Sequence, residues 1–496
     1  MFTKRLNRNT FRSDAPWWYG FLLLAAIVLA GVLAPLAPSL TFSILLLGLG
    51  LVVLTLILFA HLRLRLYYAL ALLIISACIS RETFGLPIET DLLPTLFLLL
   101  WVALELRGGL LEVRHYPLIV PILAYLSTNF FSTILNSPVL FDSLYQTAVL
   151  SYRAGMYFLV IMVVRRYPDL RNRYPRLLQI IMVVEVVIST VVLLLGIRVP
   201  LLQSREGGAG GGASIRGTFQ ESNLLGIFVL CVTAQLLTLM VFRYPRGVNI
   251  KSLSVLAVGG VGLLLGYTRS TWLGFILVVV LLGVITFMPA GRRARGSYFA
   301  IAVGLVTTLG IMLFGLAIYA TLAPSTSLGA SLWNRLGMIG EANSSVTGRL
   351  MVWQSVLDVW RAHPWLGGGP LSFQVVAEQT LNREGGWLYS FALQTLHDSG
   401  IIGLVALLGV YGGALIYPWR AYRAAQDSYD KGIVLGYVLG QIGLYFASLF
   451  SSFTYSAFAW IYLGLSVGHS MIILERSRRS YVWQPPEAVQ AAPAEG

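Results

Sequence analysis

The chain has 496 residues, of which 57% are hydrophobic and 11% are charged, and its mean hydropathy is +0.77. Because an ordinary soluble domain carries about 25% charged residues, this composition excludes a soluble globular protein. The formal net charge of +14 does not indicate nucleic-acid binding, since the basic residues are spread over many short segments. Cys78 and Cys231 both lie inside apolar runs, so neither a disulfide framework nor a thiolate metal site is predicted.

Apolar runs recur along the chain and are long enough for spanning helices, which need roughly 20 residues to cross about 30 Å of hydrocarbon. We therefore predict an all-α, polytopic helical membrane protein with about 14 spans, or about 12 at the fewest. The predicted spans lie near 17–34, 40–60, 66–80, 92–106, 117–135, 146–164, 177–197, 222–242, 251–267, 271–288, 298–321, 399–418, 433–451 and 455–474. No small-x-small cleavage site follows the first run, so we predict a retained helix there.

Basic residues concentrate in alternate loops between these spans. Twenty-five of the 35 Lys and Arg residues, including all three lysines, fall in these loops and at the two ends of the chain. The positive-inside rule assigns such segments to the cytoplasm, so both ends are predicted to be cytoplasmic. An arginine on the opposite side therefore needs another reason to be there.

The predicted organisation has four parts. They are an N-terminal transmembrane region at 1–320, a large external loop at 321–388, C-terminal transmembrane helices at 389–475 and a disordered cytoplasmic tail at 476–496. Within the loop, apolar residues at helical spacing up to Pro364 predict a short amphipathic helix on the membrane surface.

Two arginines are predicted at the outer membrane face. Arg216 lies just outside a predicted span with Asn223 close behind it, and Arg269 lies in a tight turn between two spans. A planar, permanently charged guanidinium binds phosphate groups bidentately, and the diphosphate of a lipid lies at this depth of the membrane. We therefore predict a site for a lipid-linked diphosphate; attraction to membrane lipid headgroups is the alternative.

Arg153 lies inside the sixth predicted span. An ionisable side chain in that setting marks either a substrate site or a buried structural ion pair. Asp142, near the start of the same span, is the candidate partner for such a pair. Both interpretations stay open from the sequence.

The predicted external loop contains a further group of candidate residues. Arg349 and Trp353 precede a run of three glycines at 367–369. Aromatic faces beside polar groups suit sugar rings, and glycines permit a close backbone approach. Interfacial tryptophan is common in membrane proteins, so this pattern alone indicates little.

The next stretch runs from the loop into a predicted helix and carries Glu384, Tyr389, His397 and Asp398 in this order. His397 is a candidate general base, because imidazole exchanges protons near neutral pH. The alternative is a structural histidine satisfied by Asp398 or by a backbone carbonyl.

Four pieces of the chain, in this order, resemble the O-antigen ligase and polymerase superfamily of bacterial envelope glycosyltransferases. They are RGTFQESNLLG at 216–226, YTRSTWLG at 267–274, GRLMVWQSVLDVWRAHPWLGGGPLSF at 348–373 and LYSFALQTLHDSGIIGL at 388–404. A large external loop between the second and fourth pieces matches this superfamily as well.

The resemblance implies that a glycan carried on undecaprenyl diphosphate is transferred to an acceptor without a nucleotide sugar, a cofactor or an essential metal. It also implies a multi-pass protein of the bacterial cytoplasmic membrane, whose partners are this donor, a glycan or lipid acceptor and membrane lipids. By resemblance, Arg216 and Arg269 would hold the diphosphate and help it leave.

One departure from the family concerns the base. Ligases usually carry His-Asn where this chain has Tyr389-Ser390. Eight residues along a helix advance about 12 Å and turn about 80°, so His397 is not a simple replacement. Tyr389 is instead a candidate to bind the acceptor, and Glu384 or Glu378 of the loop is a second candidate base. The departure favours polymerisation, or transfer to another acceptor, over ligation to lipid A core.

The sequence thus predicts a metal-independent membrane glycosyltransferase that acts at the outer face of the membrane. A transporter or flippase for the same lipid-linked glycan is one alternative, and a non-catalytic scaffold of an envelope polysaccharide assembly system is another. A flippase requires a charged path deep in the bilayer, whereas arginines confined to the outer face favour the transferase.

Overall fold

The computed structural model describes a subset of the chain in detail. The described residues are 62–79, 90–92, 94–96, 98–99, 116–194, 214–243, 248–266, 268–288, 294–304, 318, 342–375, 388 and 390–482. The chain divides into two compact units, Met1–Leu72 and Leu73–Gly496. The helices and sites below belong to the second unit, apart from residues 62–72 of the first helix.

Helices account for the regular structure of the described residues, which contain no β-strand. We number them α1 (Leu62–Cys78), α2 (Ile119–Asn136), α3 (Leu140–Arg166), α4 (Arg173–Leu194), α5 (Ser222–Phe242), α6 (Ile250–Leu265), α7 (Arg269–Phe287), α8 (Ala342–Ala362), α9 (Phe391–Ala424), α10 (Ser428–Ser448) and α11 (Ala457–Val482). A short 3-10 helix, Pro168–Asn172, joins α3 to α4. The predicted all-α class is confirmed.

Seven of these helices, α2, α3, α4, α5, α7, α9 and α11, are long and apolar enough to cross a membrane. This finding supports a multi-pass membrane protein. The predicted spans at 17–34 and 40–60 lie outside the described residues. The total of about 14 spans, the external side of the large loop and the four-part organisation stay predictions.

Several consecutive helices, such as α2 and α3, α5 and α6, α6 and α7, and α9 and α10, are joined by short connections, and helix ends collect at two sides of the bundle. The three-residue connection between α6 and α7 confirms the predicted tight turn around Arg269. We call one side the site end, defined by the ends of α2 and α6 (Asn136 and Leu265) and the starts of α5, α7 and α11 (Ser222, Arg269 and Ala457). The opposite side, with the Arg165–Glu475 ion pair of α3 and α11, is the far end.

The centre of the bundle is formed by α5 and α11, each of which is 89% buried along its most apolar stretch. Close approach is possible because small residues face the partner helices, as is common between membrane helices. On α10, a Cβ added at Gly436 would lie 2.7 Å from the Cα of Gln235 on α5. The core therefore tolerates little increase in side-chain size at this contact.

Helix α8 occupies the region where the sequence predicts an amphipathic helix. It ends at Ala362, two residues before Pro364, which cannot donate a backbone hydrogen bond. Its buried residues Val352 and Val356 pack in one cluster with Phe373, which lies after the glycine run. A position of α8 on the membrane surface stays a prediction.

Candidate functional site

Helix α9 is broken at Gly400, whose φ of 64° lies in the left-handed region that glycine adopts readily. The break leaves the carbonyl groups of His397 and Asp398 without partners inside the helix. Gly368 donates its backbone N–H to the His397 carbonyl at 2.7 Å, and Gly369 donates to the Asp398 carbonyl at 3.1 Å. The glycine run after α8 therefore caps the first half of α9.

The second half of α9 is capped by the same loop. Ile401 donates its N–H to the carbonyl of Pro364 at 3.0 Å, and Ile402 donates to that of Trp365 at 3.3 Å. A Cβ added at Gly400 would lie 2.3 Å from Trp365 backbone atoms, so the loop and the break are in direct contact. The loop at 364–369 is thus interlocked with the break, and we call the two together the loop–break interlock.

Helix α2 fixes the interlock from a third direction. Asn136 donates its side-chain N–H to the Gly367 carbonyl at 2.7 Å. Ser132 donates its hydroxyl to the Asp398 carbonyl at 2.7 Å and is itself buried. Buried hydrogen bonds of this kind hold the backbone around His397 in one conformation.

His397 lies directly before the break and is fully buried, with 0% of its surface exposed. Its Nδ1 lies 3.0 Å from Oδ1 of Asp398, and the Phe373 ring packs edge-on against the imidazole at 5.6 Å. Among the described residues, Nε2 of His397 has no hydrogen-bond partner. A buried imidazole with one nitrogen held by a carboxylate and the other unengaged is equipped to accept a proton.

The Asp398 carboxylate is held in turn by Tyr455, which donates its hydroxyl to Oδ2 at 2.8 Å. Tyr455 lies in the connection between α10 and α11. Burial raises the pKa of Tyr455 well above 10, and the negative charge of Asp398 raises it further. The hydroxyl therefore keeps its proton at neutral pH and remains a donor to Asp398.

Arg153 contacts the same connection and forms an ion pair. It donates to the backbone carbonyl of Tyr455, and its Nε lies 3.4 Å from Oδ2 of the buried Asp91. Tyr152 donates its hydroxyl to the other Asp91 oxygen at 2.6 Å. The ion pair is thus made with Asp91, where the sequence suggested Asp142 as the partner for a structural pair. The predicted role of Arg153 in substrate binding stays a prediction.

The segments that carry Arg216 and Arg269 are neighbours at the site end. Ile215 donates its N–H to the carbonyl of Leu265, the last residue of α6. Near the start of α5, a Cβ added at Gly226 would lie 2.5 Å from Oγ1 of Thr268, the residue before Arg269. The fold thus brings together the two segments that carry these arginines, which are 53 positions apart in the sequence.

The two arginine side chains differ in their surroundings. Arg216 is partly buried and donates from one guanidinium nitrogen to the Gln220 carbonyl at 3.0 Å. Arg269 is exposed in the first turn of α7. Asn223, in the first turn of α5, is partly buried at the same end of the bundle. The site end therefore presents positive charge beside the start of α5.

The structure describes the remaining predicted site residues unevenly. Trp353 lies on α8, and its indole N–H is buried without a partner among the described residues. Arg349 lies on the same helix, while its side chain is outside the description. Glu384 and Tyr389 lie outside the described residues altogether, so their predicted roles stay predictions.

An apolar groove of about 710 Å³ lies along α6 and α7 and is also lined by residues of α5 and of the segment 300–304. Ala257 on α6 and Trp272 and Ile276 on α7 are among its lining residues. Trp272 donates its indole N–H to the Leu263 carbonyl, which ties the two helices together. Arg269 lies three residues before Trp272, on the same helical face, so one wall of the groove continues to a positive charge.

Sequence reasoning missed Tyr455 and Asp91. Tyr455 is 57 positions from Asp398, and Asp91 is 62 positions from Arg153. Neither residue belongs to a recognisable motif. The one available signal was that an acidic or arginine side chain inside an apolar region needs a partner, and this signal does not say which one.

Comparison with protein families gives one match. Residues 253–408, about a third of the chain, match the family model described as O-antigen ligase. The match contains three of the four pieces that carry the resemblance, and RGTFQESNLLG at 216–226 precedes it. It supports assignment to the O-antigen ligase and polymerase superfamily.

The chain was also compared with curated proteins and with solved structures. No curated protein matches the chain. A solved structure described as "Structural coordination of polymerization and crosslinking by a peptidoglycan synthase complex" is similar over 73% of this chain and 97% of that chain, at 15% identity and a TM-score of 0.37.

Proposed function

We propose that this protein is a membrane glycosyltransferase that transfers or polymerises a glycan from an undecaprenyl-diphosphate-linked donor at the outer face of the cytoplasmic membrane. The observation that carries the proposal is the buried His397, held by Asp398 on one nitrogen, at the same end of the bundle as Arg216 and Arg269. The O-antigen ligase match supports the reaction class.

Arg216 and Arg269 bind the donor diphosphate in this proposal. Permanently charged guanidiniums stabilise a diphosphate both when it is bound and when it leaves with additional negative charge. The apolar groove next to Arg269 accommodates the first isoprene units of the lipid chain, because its lining is apolar and it opens between two helices. The donor headgroup and chain are then both accounted for.

His397 acts as the general base. Nε2 takes the proton from an acceptor hydroxyl while the hydroxyl oxygen forms a bond to the anomeric carbon of the donor sugar. The bond between that carbon and the diphosphate oxygen breaks, and its electron pair leaves with the lipid diphosphate. Asp398 stabilises the resulting imidazolium through Nδ1, as carboxylates do in other histidine-dependent transferases and hydrolases.

Access to the base requires movement. His397 is closed to solvent and Phe373 packs against its ring. An acceptor hydroxyl reaches Nε2 only when the covering side chains shift, and exclusion of water before the acceptor arrives protects the donor from hydrolysis. Glu384 and Tyr389 remain the second candidate base and the candidate acceptor-binding residue.

The flippase and scaffold alternatives make different chemical predictions. The decisive experiment incubates the purified full-length protein with a labelled undecaprenyl-diphosphate oligosaccharide and candidate acceptors. Longer glycans on the lipid indicate a polymerase, and label on the acceptor indicates a ligase. The absence of any product, together with movement of the labelled lipid across proteoliposome membranes, would favour the flippase.

A further inference from the structure

Glu185 lies in the middle of α4 and contacts the segment that carries Arg216. Its Oε2 accepts the backbone N–H of Thr218 at 2.9 Å. Its Oε1 lies 2.7 Å from the Thr218 hydroxyl oxygen. Burying a carboxyl group in an apolar helix costs free energy unless its hydrogen bonds are satisfied. The two contacts with Thr218 satisfy hydrogen bonds of Glu185, and a carboxyl group at this position indicates a specific role.

The Thr218 hydroxyl has a second neighbour. It lies 3.0 Å from the carbonyl oxygen of Cys78, the last residue of α1. Thr218 is thus connected to two helices, α4 through Glu185 and α1 through Cys78. Thr218 therefore anchors the segment to two parts of the bundle.

A backbone turn links Thr218 to Arg216. Phe219 donates its N–H to the Arg216 carbonyl at 3.2 Å, which closes a turn over residues 216–219. Gly217 follows Arg216 in this turn with a φ of 60°, and a Cβ there would lie 2.4 Å from Oε2 of Glu185. The glycine therefore allows Glu185 to reach the backbone directly, and the turn fixes where Arg216 leaves the chain.

We infer that Glu185 is a positioning residue for Arg216: its two contacts with Thr218 hold the turn that aims the guanidinium at the donor diphosphate. This inference rests on the proposed function, since it assumes that Arg216 binds the donor. The role of Glu185 is hydrogen bonding and not charge. A glutamine accepts the Thr218 N–H with its amide oxygen and donates to the Thr218 hydroxyl with its amide N–H, which leaves that hydroxyl free to donate to Cys78.

The test measures the Kd of purified full-length variants in nanodiscs for undecaprenyl diphosphate, a probe that requires no knowledge of the sugar. Glu185→Leu removes the contacts at similar size and should raise the Kd about tenfold, the effect of losing about 1.4 kcal/mol. Glu185→Gln should restore the Kd to within about threefold of the wild-type value. Thr218→Val and Thr218→Ser form a second pair. Thr218→Val, which removes the hydroxyl, should raise the Kd, whereas Thr218→Ser, which keeps it, should not.

Arg216→Ala links the effect to the arginine. If Glu185 acts through Arg216, then Glu185→Leu adds less than about threefold to the Kd of the Arg216→Ala variant. Full additivity overturns the inference, because a residue that merely stabilises the fold acts independently of Arg216. Equal loss in Glu185→Gln and Glu185→Leu also overturns it, since the carboxylate charge would then be what matters.

The proposed function and the inference fail in different ways. An unchanged Kd in Arg216→Ala removes Arg216 from the donor site and overturns both. A raised Kd in Arg216→Ala with an unchanged Kd in Glu185→Leu overturns the inference alone. Glu475→Leu, at the far end, is the control for loss of a carboxylate. If Glu185→Leu does not fold, the comparison of Thr218→Val with Thr218→Ser decides the question.

Discussion

Tyr455 donates its hydroxyl to the Asp398 carboxylate at 2.8 Å, and the other oxygen of this carboxylate faces Nδ1 of His397 at 3.0 Å. Three side chains from two separate parts of the chain thus form one hydrogen-bonded line. The order of the line assigns a role to each member. Tyr455 fixes Asp398, and Asp398 fixes the imidazole.

We expect Tyr455→Phe to lower the transfer rate about tenfold while the donor Kd stays unchanged. The ring is kept and one hydrogen bond to a charged group is lost, which is worth about 1.5–3 kcal/mol. Tyr445→Phe is the matched control, because among the described residues the Tyr445 hydroxyl makes only long contacts, of 3.4 and 3.5 Å. Equal effects of the two variants would contradict a specific role for Tyr455.

His397→Ala should lower transfer per folded molecule about 100-fold or more, the usual scale for loss of a general base. Single-turnover assays with donor at saturation measure this directly. His363→Ala, at an exposed position after α8, is the control. A structural histidine would instead lower the melting temperature and leave turnover nearly intact.

Glu384→Gln tests the second candidate base, because it keeps the side-chain shape and removes the carboxylate. If Glu384 is the base, the variant loses about 100-fold in turnover and His397→Ala does not. The expected result is the reverse. Wild-type turnover in both variants would mean that the proton acceptor lies elsewhere.

Arg216→Ala and Arg269→Ala should each weaken donor binding and transfer at least about tenfold without loss of membrane insertion. Replacement by lysine should rescue only partly, because an ammonium group lacks the bidentate fork. Arg361→Ala removes an exposed arginine paired with Asp358 and provides the control. Full activity in either alanine variant would exclude that arginine from the donor site.

Filling the apolar groove tests the site of the lipid chain. Ala257→Phe should raise the Kd for undecaprenyl diphosphate about tenfold, since displacing two methylene groups of the chain costs about 1.6 kcal/mol. Val280→Phe adds the same ring on an exposed face of α7 and should change nothing. An equal Kd in both variants would place the chain elsewhere.

The sequence was sufficient for the helical membrane class and for the two arginine segments, because these features are local. Apolar runs predict helices, and a three-residue turn leaves Arg269 little freedom. The sequence predicted both arginines at the same face of the membrane, whereas the contact between their segments is known from the structure alone. Their functional roles stay predictions.

The contacts around His397 could not be predicted from the sequence, because they depend on tertiary structure. The break at Gly400 depends on a left-handed φ, and many glycines in helices have ordinary values. The partners of the break come from a loop about 30 residues earlier and from α2. Asp91 was likewise missed as the partner of Arg153, because nothing in its local sequence points to α3. Tertiary contacts of this kind have no periodic signal.

The loop–break interlock also has a consequence for the order in which the protein acquires its structure. Ser132 and Asp398 are 266 positions apart, so α2 is synthesised long before its hydrogen-bond partner. Tyr455 is made later still. During translation, Ser132 and the glycine run lack their hydrogen-bond partners on α9 until that helix enters the membrane, and Asn136 contacts a loop that α9 has not yet fixed. The site that we assign to catalysis is therefore among the last parts of the protein to form, and a chain interrupted before α11 would be left without it.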